Sequence, residues 1–561
     1  MKHRRLKELR IRKNSPCFAF LVNLAAMAAM LLLMHPFYET NDDLAFAQLA
    51  SGFRGVKEAH LVFQNYGLGA LYRFLYELTG RLPWYMLVQY GVLLLSFSAV
   101  TWVLINRLEG FSGLYLSVIL LCCFGYQCYI HPQFTKAAGV AAASAVFLLF
   151  YVLSQKRISA RGVLFGLALG LLGFMYREDQ FFASGALMAG VGVFFLLTLK
   201  RRFAGEARRR LICCVCVFGA LLAAAGVLNR ADALMYRSPQ WQEYLEYNNL
   251  RSRLLDYGFP PYEENRELYE ELKIDESAYE LYKSWNFNDP EKFSADVMAR
   301  LAEQKQKQEL TPGFVLHFLK RFPSDVAGLT PAYFCGGFLL LWLIFGKKSR
   351  AAAFALLFEA VLLTDVYFYL YYSGRYLIPR VDAGLWFSVC LTVLWLLTEE
   401  GGRPWGKRAG LAVCVGAVAL SQILWLPDWK LTERDLIAYR GNHRAILETI
   451  GADQEHVYLA KSGVIPEVFC YGPLDRLPEN QLTNLFWFGG WECGMPKMQE
   501  AMEAQGIVNP YRDMIGNERV YLIDDDIELT MNYVRKYYDP GAEAVFVKTL
   551  GDVNLYQIRA S

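Results

Sequence analysis

The chain has only seven histidines among 561 residues, and no cysteine–histidine spacing in it matches a zinc site. A structural zinc module is therefore excluded. Basic residues barely outnumber acidic ones, 57 to 54, and the basic clusters are short and lie between apolar runs. That placement is a topology signal and argues against a nucleic-acid partner. There is no low-complexity tract and no solenoid period, which excludes a repeat array. The first residues are basic and then apolar, as in a secretory signal. However, the run from Cys17 to Met34 is long and lacks a small-residue cleavage site, so it reads as a retained first helix.

Apolar length is what the chain has in quantity. Its residues are 55% hydrophobic and 15% aromatic, and many runs approach the roughly 20 residues that cross a bilayer. The expectation is a polytopic α-helical membrane protein with eleven spans, at 17–36, 84–105, 111–129, 137–154, 162–176, 181–199, 211–228, 325–345, 351–371, 382–398 and 409–426. Lys/Arg-rich segments (MKHRRLKELRIRK, SQKRISAR, KRRFAGEARRR, GKKSR and GGRPWGKR) fall on one side. The positive-inside rule then puts the N-terminus in the cytoplasm, the C-terminus outside, and the chain in the plasma membrane.

This topology divides the sequence into a cytoplasmic N-terminus at 1–16, a first membrane part at 17–228, an outer insertion at 229–322, a second membrane part at 323–426 and an outer domain at 427–561. The first outer loop, 37–83, carries LAFAQLASGFRG and LGALYRFLYELTG, which read as short amphipathic helices lying in the interface plane. The outer insertion reads as helical pieces broken at Pro260-Pro261 and Asp289-Pro290. In the last domain HVYLAKS, RVYLIDD, AVFVKTL and NLYQIRA read as strands, and LIAYRGNHRAILETI and ELTMNYVRKYY as helices, which implies a small α/β unit. Ten of the twelve cysteines fall outside that domain, mostly in apolar runs. Cys470 and Cys493 lie within it, as a disulfide if it is extracytoplasmic or as two free thiols.

Charges at the outer mouth supply the candidate site. Asp42 and Asp43 follow the first span directly; they serve as a general base or charge partner, or as acids in the first turn of a helix capped by Thr40 or Asn41. Arg177, Glu178 and Asp179 form a tight turn between spans five and six. His131 and Lys136 sit in the preceding outer loop, where Lys136 either meets a phosphate or snorkels to headgroups, and His131 is a structural donor or a catalyst. Arg375, Tyr376 and Arg380 follow span nine; guanidinium forks suit phosphate oxygens or lipid headgroups. Asp365, inside that span, is a candidate for orienting one of these arginines. Asp524-Asp525-Asp526 reads as an ordinary helix start in preference to the ligand-binding edge of an α/β sheet, and LFWFGGW (485–491) as sugar-binding, membrane-touching or core.

An acidic motif in the first outer loop, interfacial helices beside it, many spans and a soluble outer C-terminal domain resemble the GT-C superfamily of integral-membrane glycosyltransferases. That superfamily includes protein O-mannosyltransferases and lipid A aminoarabinose transferases. Asp42 or Asp43 matches the first-loop acid, Glu178 and Asp179 resemble the second acidic loop, and Arg375 and Arg380 resemble the late basic motif. The Asn-Asp-Asp pattern departs from the Asp-x-Asp and Asp-Glu pairs of the family, and the insertion at 229–322 departs from its best-known members. The resemblance implies a polyprenyl-phosphate-sugar donor, an extracytoplasmic acceptor and inverting displacement with a first-loop aspartate as base, and it leaves open a divalent Mg or Mn ion. The alternatives are a transporter or flippase for lipid-linked saccharides, a polymerase or ligase, and a non-catalytic envelope assembly or sensor protein.

Overall fold

The computed structural model describes residues 14–108, 111–304, 309–399 and 407–561. The basic segment at 1–13 and most of GGRPWGKR lie outside the described residues. Among them, nine helices are long and apolar enough to cross a membrane, or ten if the pair Pro312–Ala327 and Thr330–Phe345, bent by 80°, counts as one span. Ala160–Tyr176 is a further apolar helix, but a shorter one. The eleven expected runs are thus all helical, though not all of membrane length. The outward faces of the peripheral helices are apolar, with Leu32, Val227, Leu357 and Ile423 all exposed. Such a surface suits lipid and would be a liability in water.

The helix Phe134–Ser154 is the axis of the bundle, buried along almost its whole length. It can be central because its sequence, FTKAAGVAAASAV, is small enough to let neighbours approach closely. At Gly139 a Cβ would stand 2.8 Å from the Cα of Gly384 on the helix Pro379–Leu397, so the two backbones touch there. Basic residues gather at one end of the bundle. There Arg107 donates to Thr398, Arg202 pairs with Glu399, and Arg210 donates to the carbonyls of Leu153, Gln155 and Lys156.

The opposite end carries the soluble mass. A helix from Lys407 to Ala452 runs without a break through the boundary expected near 427, so the last membrane-length helix continues directly into the C-terminal domain. That domain has five strands, β1 (Val457–Ala460), β2 (Leu485–Trp487), β3 (Val520–Ile523), β4 (Glu543–Leu550) and β5 (Val553–Arg559), in the order β2-β1-β3-β5-β4. β1 is parallel to both β2 and β3, and β5 is antiparallel to β3 and β4. The four expected strands are present. β2 is new, and comes from LFW at the start of the aromatic, glycine-rich run.

The insertion and the C-terminal domain share one apolar core, which includes Leu254, Tyr269, Tyr282, Leu459 and Tyr533. Buried Asp289 ties them together by accepting from Tyr533 (2.6 Å), Tyr538 (2.6 Å) and Asn509 (2.9 Å). The first loop joins the same assembly through backbone bonds from Asn480 to Gly52 and from Leu482 to Phe53, each 2.9 Å. Its two helices, Asn41–Ser51 and Tyr66–Leu78, differ in setting. The second exposes Leu71, Phe74 and Leu78, as an interfacial helix does. The first is buried from Asp43 to Ser51, so it is a plug between the bundle and the soluble domain and does not lie on a surface.

Candidate functional site

Asp42 and Asp43 begin the plug helix, with Thr40 as its N-cap residue but without a side-chain capping bond. Two adjacent positions on a helix are about 100° apart, so the pair separates. Asp43 is fully buried and accepts from the Tyr85 hydroxyl (2.7 Å) and the Phe134 amide (3.1 Å). Asp42 is half-buried, and no hydrogen bond to its carboxylate is formed by the described residues. Burial raises its pKa above the usual carboxylate range, and the charges of Arg380, Arg177 and Arg251 work against that shift.

Those arginines converge from three parts of the chain. Arg177 leads into the helix Glu178–Ala186, lies beside the rings of Phe63 and Phe134, and is 3.6 Å from the exposed Asp179. Burial holds its guanidinium below its ordinary range, against the pull of Asp179 and Asp42, while Arg375 and Arg380 push the same way as burial. Arg375 comes from the turn at 373–378, where Gly374 and Leu377 both take positive φ, and Arg380 from the first turn of the helix Pro379–Leu397. Leu377, a non-glycine at 56°, is the strained member that turns the chain back on itself. Arg375 donates to the Tyr257 hydroxyl (3.2 Å) and lies 3.7 Å from Asp256. Arg380 has no hydrogen bond or ion pair among the described residues.

Arg251 and Asp256 come from the insertion and were not foreseen. Arg251 is buried, donates to Asn248 (2.9 Å) and lies over Trp285. Its Nη1 is buried without a hydrogen bond and is 4.0 Å from Asp256. The only sequence signal for them was the segment LRSRLLDYGFPP, whose charges look like an ordinary solvated helix face. Four guanidinium groups therefore face Asp42, Asp256 and the exposed Asp179. This set suits an anion and does not fit a divalent metal ion. Among the described residues no three His, Cys, Asp or Glu side chains are grouped to hold one.

Other expected site residues are placed elsewhere. Lys136 is not in an open loop but fully buried in the first turn of the central helix. Its ammonium pairs with Glu39 and donates to Gln127 and to the His131 carbonyl (3.0 Å). It neither snorkels nor reaches a phosphate, because these acceptors already surround it. His131 is buried between Phe37 and Tyr126, and burial, then Lys136, pushes its imidazole well below its ordinary range. Its ring packs against both aromatics. Asp365 is exposed on the outer face of its helix and touches neither arginine; Asp382 is the buried carboxylate nearby, accepting from Tyr367 at 2.8 Å. Tyr376 donates to Asp325 (3.0 Å) within an aromatic cluster. Glu178 accepts from Asn229 (2.8 Å) and, with Arg177 and Asp179, lines a separate cleft of about 260 Å3.

In the C-terminal domain Asp526 caps the helix Ile527–Tyr537 and Asp524 is tied to Thr530 and Lys461, an ordinary helix start. Cys470 and Cys493 are both free thiols; they donate to separate carbonyls, Pro466 and Trp487, and form no disulfide.

Asp42 also lines a cleft of about 420 Å3. Its walls come from the plug helix (Asn41, Asp42), the insertion (Trp285) and the C-terminal domain (Glu467, Trp487, Glu492). Arg54 crosses beneath it, buried, bonding Glu467 (2.6 Å), Glu492 (3.0 Å) and Gln48 (2.8 Å). Burial works against this guanidinium, but the two carboxylates outweigh it and hold the charge in place. No family model matches this chain, and no curated protein matches it significantly.

Proposed function

We propose that this chain is a plasma-membrane glycosyltransferase that moves a sugar from a polyprenyl-phosphate donor to an extracytoplasmic acceptor, with the N-terminus in the cytoplasm and the C-terminal domain outside. The observation that carries the reading is the position of Asp42. Its unbonded carboxylate lines a cleft and feels the charges of Arg380, Arg177 and Arg251. Transfer by direct displacement needs an acid–base group on one side of the anomeric carbon and cations on the other. The acceptor oxygen attacks that carbon, the bond to the lipid phosphate breaks, and the anomeric configuration inverts. The acceptor proton passes to the Asp42 carboxylate. The leaving phosphate takes the bonding pair, and its charge is met by Arg380, Arg177, Arg251 and Arg375. Arg380 and Arg251 Nη1 supply donors with no hydrogen-bond partner among the described residues.

A transporter for lipid-linked saccharides has one observation in its favour. Glu359 is buried inside the helix Arg350–Tyr372 and accepts from the Gly190 amide (3.1 Å), close to the irregular turn at Leu187–Met188. Carboxylates against broken helices are a feature of transporter cores.

The deciding experiment incubates the purified chain in nanodiscs with radiolabelled polyprenyl-phosphate sugars and an envelope extract, beside Asp42→Asn and Glu359→Gln. Label reaching a new acceptor with wild type and Glu359→Gln but not with Asp42→Asn supports the transferase. Movement of donor across the bilayer without a new glycosidic product, lost in Glu359→Gln, sinks it.

A further inference from the structure

The 420 Å3 cleft beside Asp42 has a composition that specifies a ligand class. Trp285 and Trp487 are both half-buried at its wall, and buried Trp491 backs it against Phe46 and Phe63. Trp285 is held at φ 66°, a conformation that side chains of its size rarely adopt. The surrounding contacts enforce it. The Trp285 carbonyl accepts from Ser462 (2.8 Å), and a Cβ on Gly489 would lie 1.5 Å from that oxygen. Glycine at 489 is what lets the β2 loop close on Trp285. Strain kept at a cleft wall is a mark of a functional surface.

Carboxylates complete the wall. Arg54 uses one oxygen of Glu467 and one of Glu492, and the Oε1 atom of each is buried without a hydrogen bond. With Asp42, three carboxylates face the cleft against one guanidinium. Indole faces match the C–H faces of a pyranose, and carboxylate oxygens accept from its hydroxyls. An acidic sugar would meet like charge.

We infer that this cleft is the acceptor subsite and that it takes a neutral or amino-substituted saccharide while rejecting acidic ones. The inference rests on the transferase reading for the word acceptor, but its binding chemistry stands apart from turnover. It also gives the C-terminal domain and the insertion a role in substrate choice, since each contributes a tryptophan that the membrane helices do not.

The test is equilibrium binding to the full chain in nanodiscs without donor, read by tryptophan fluorescence and calorimetry. The probes are neutral gluco- and manno-oligosaccharides, glucosamine oligomers and oligogalacturonate. Saturable binding of a neutral or amino member is expected, with oligogalacturonate at least tenfold weaker. Trp487→Leu should weaken binding by on the order of tenfold, Trp487→Phe should retain most of it, and Glu492→Gln should narrow the gap to oligogalacturonate. No binding by any probe, equal binding of the acidic probe, or indifference to Trp487→Leu overturns the inference. Binding as expected with no transfer from any donor would leave the saccharide subsite standing and sink the transferase reading. Transfer to a non-saccharide acceptor without saccharide binding would sink the subsite alone.

Discussion

Asp42 and Asp43 are neighbours in the chain and opposites in the fold. Asp43 turns into the bundle and is locked by Tyr85 and the Phe134 amide, while Asp42 turns out toward Arg380 and the cleft. The two variants should therefore fail differently. Asp42→Asn should fold normally and lower transfer by roughly 100- to 10,000-fold, the usual worth of a positioned base. Asp43→Ala strands a buried hydroxyl and amide and should cost about 1–3 kcal/mol of stability. Thermal unfolding measured beside turnover separates them; equal loss of turnover at full stability would refute the assignment.

The pH profile follows from the same residue. Burial raises the Asp42 pKa, and a base must be ionised to act. Transfer should fall on acidification through a limb lying above the ordinary Asp value of about 3.9. Arg380 lowers the Asp42 pKa, so Arg380→Gln should move that limb to higher pH as well as weaken donor binding. The stability sign is opposite to that of a salt-bridged acid. A raised folded pKa means that stability is lost as pH rises from the unfolded value through the folded one, so Asp42→Asn should be slightly more stable than wild type at neutral pH. A limb unmoved in Arg380→Gln would contradict the pairing.

Lys136 and Glu39 test whether a buried cation belongs to the site. Lys136→Met alone leaves the Glu39 carboxylate unpaired beside the bundle and should destabilise by about 3–5 kcal/mol. The double variant Lys136→Met/Glu39→Leu should recover most of that and keep donor binding. Loss of donor binding in a stable double variant would return Lys136 to the phosphate site.

Arg54 joins the plug helix region to the C-terminal domain through two carboxylates. Arg54→Met should cost about 3–5 kcal/mol because two buried acids lose their counter-charge. Adding Glu467→Gln and Glu492→Gln should restore stability. Unfolding temperature in detergent or nanodiscs reads both steps, and an unchanged value for Arg54→Met would show the cluster to be energetically idle.

Gly489→Ala places a methyl group against the Trp285 carbonyl. Overpacking of this kind costs about 1–3 kcal/mol and should shift Trp285 off the cleft wall. A matching loss of saccharide binding, with Gly490→Ala as a neighbouring control of loop strain, checks the link; unchanged binding and stability would show that the loop yields freely.

The expected helical runs could be read because membrane length and hydropathy are local properties, summed over roughly 20 residues of one segment. The strands of β1, β3, β4 and β5 were equally visible as β-branched and aromatic runs. β2 was not, since three residues, LFW, carry no period. The choice of Asp365 failed for a geometric reason. It stands two positions from Tyr367, about 200° round the helix, so the buried face carries Tyr367 and its partner Asp382 instead.

By itself the sequence determined that many apolar helices form and that a small α/β domain follows them. Each of these depends on composition within a short window. Only the tertiary structure decided which aspartate faces the arginines, that Lys136 is spent on Glu39, and that Arg251 and Trp285 from the insertion and Glu467 and Glu492 from the last domain meet around Asp42. Those meetings join residues up to hundreds of positions apart. They are set by how helices rotate and loops dock to bury their apolar faces, and no local pattern encodes that phase.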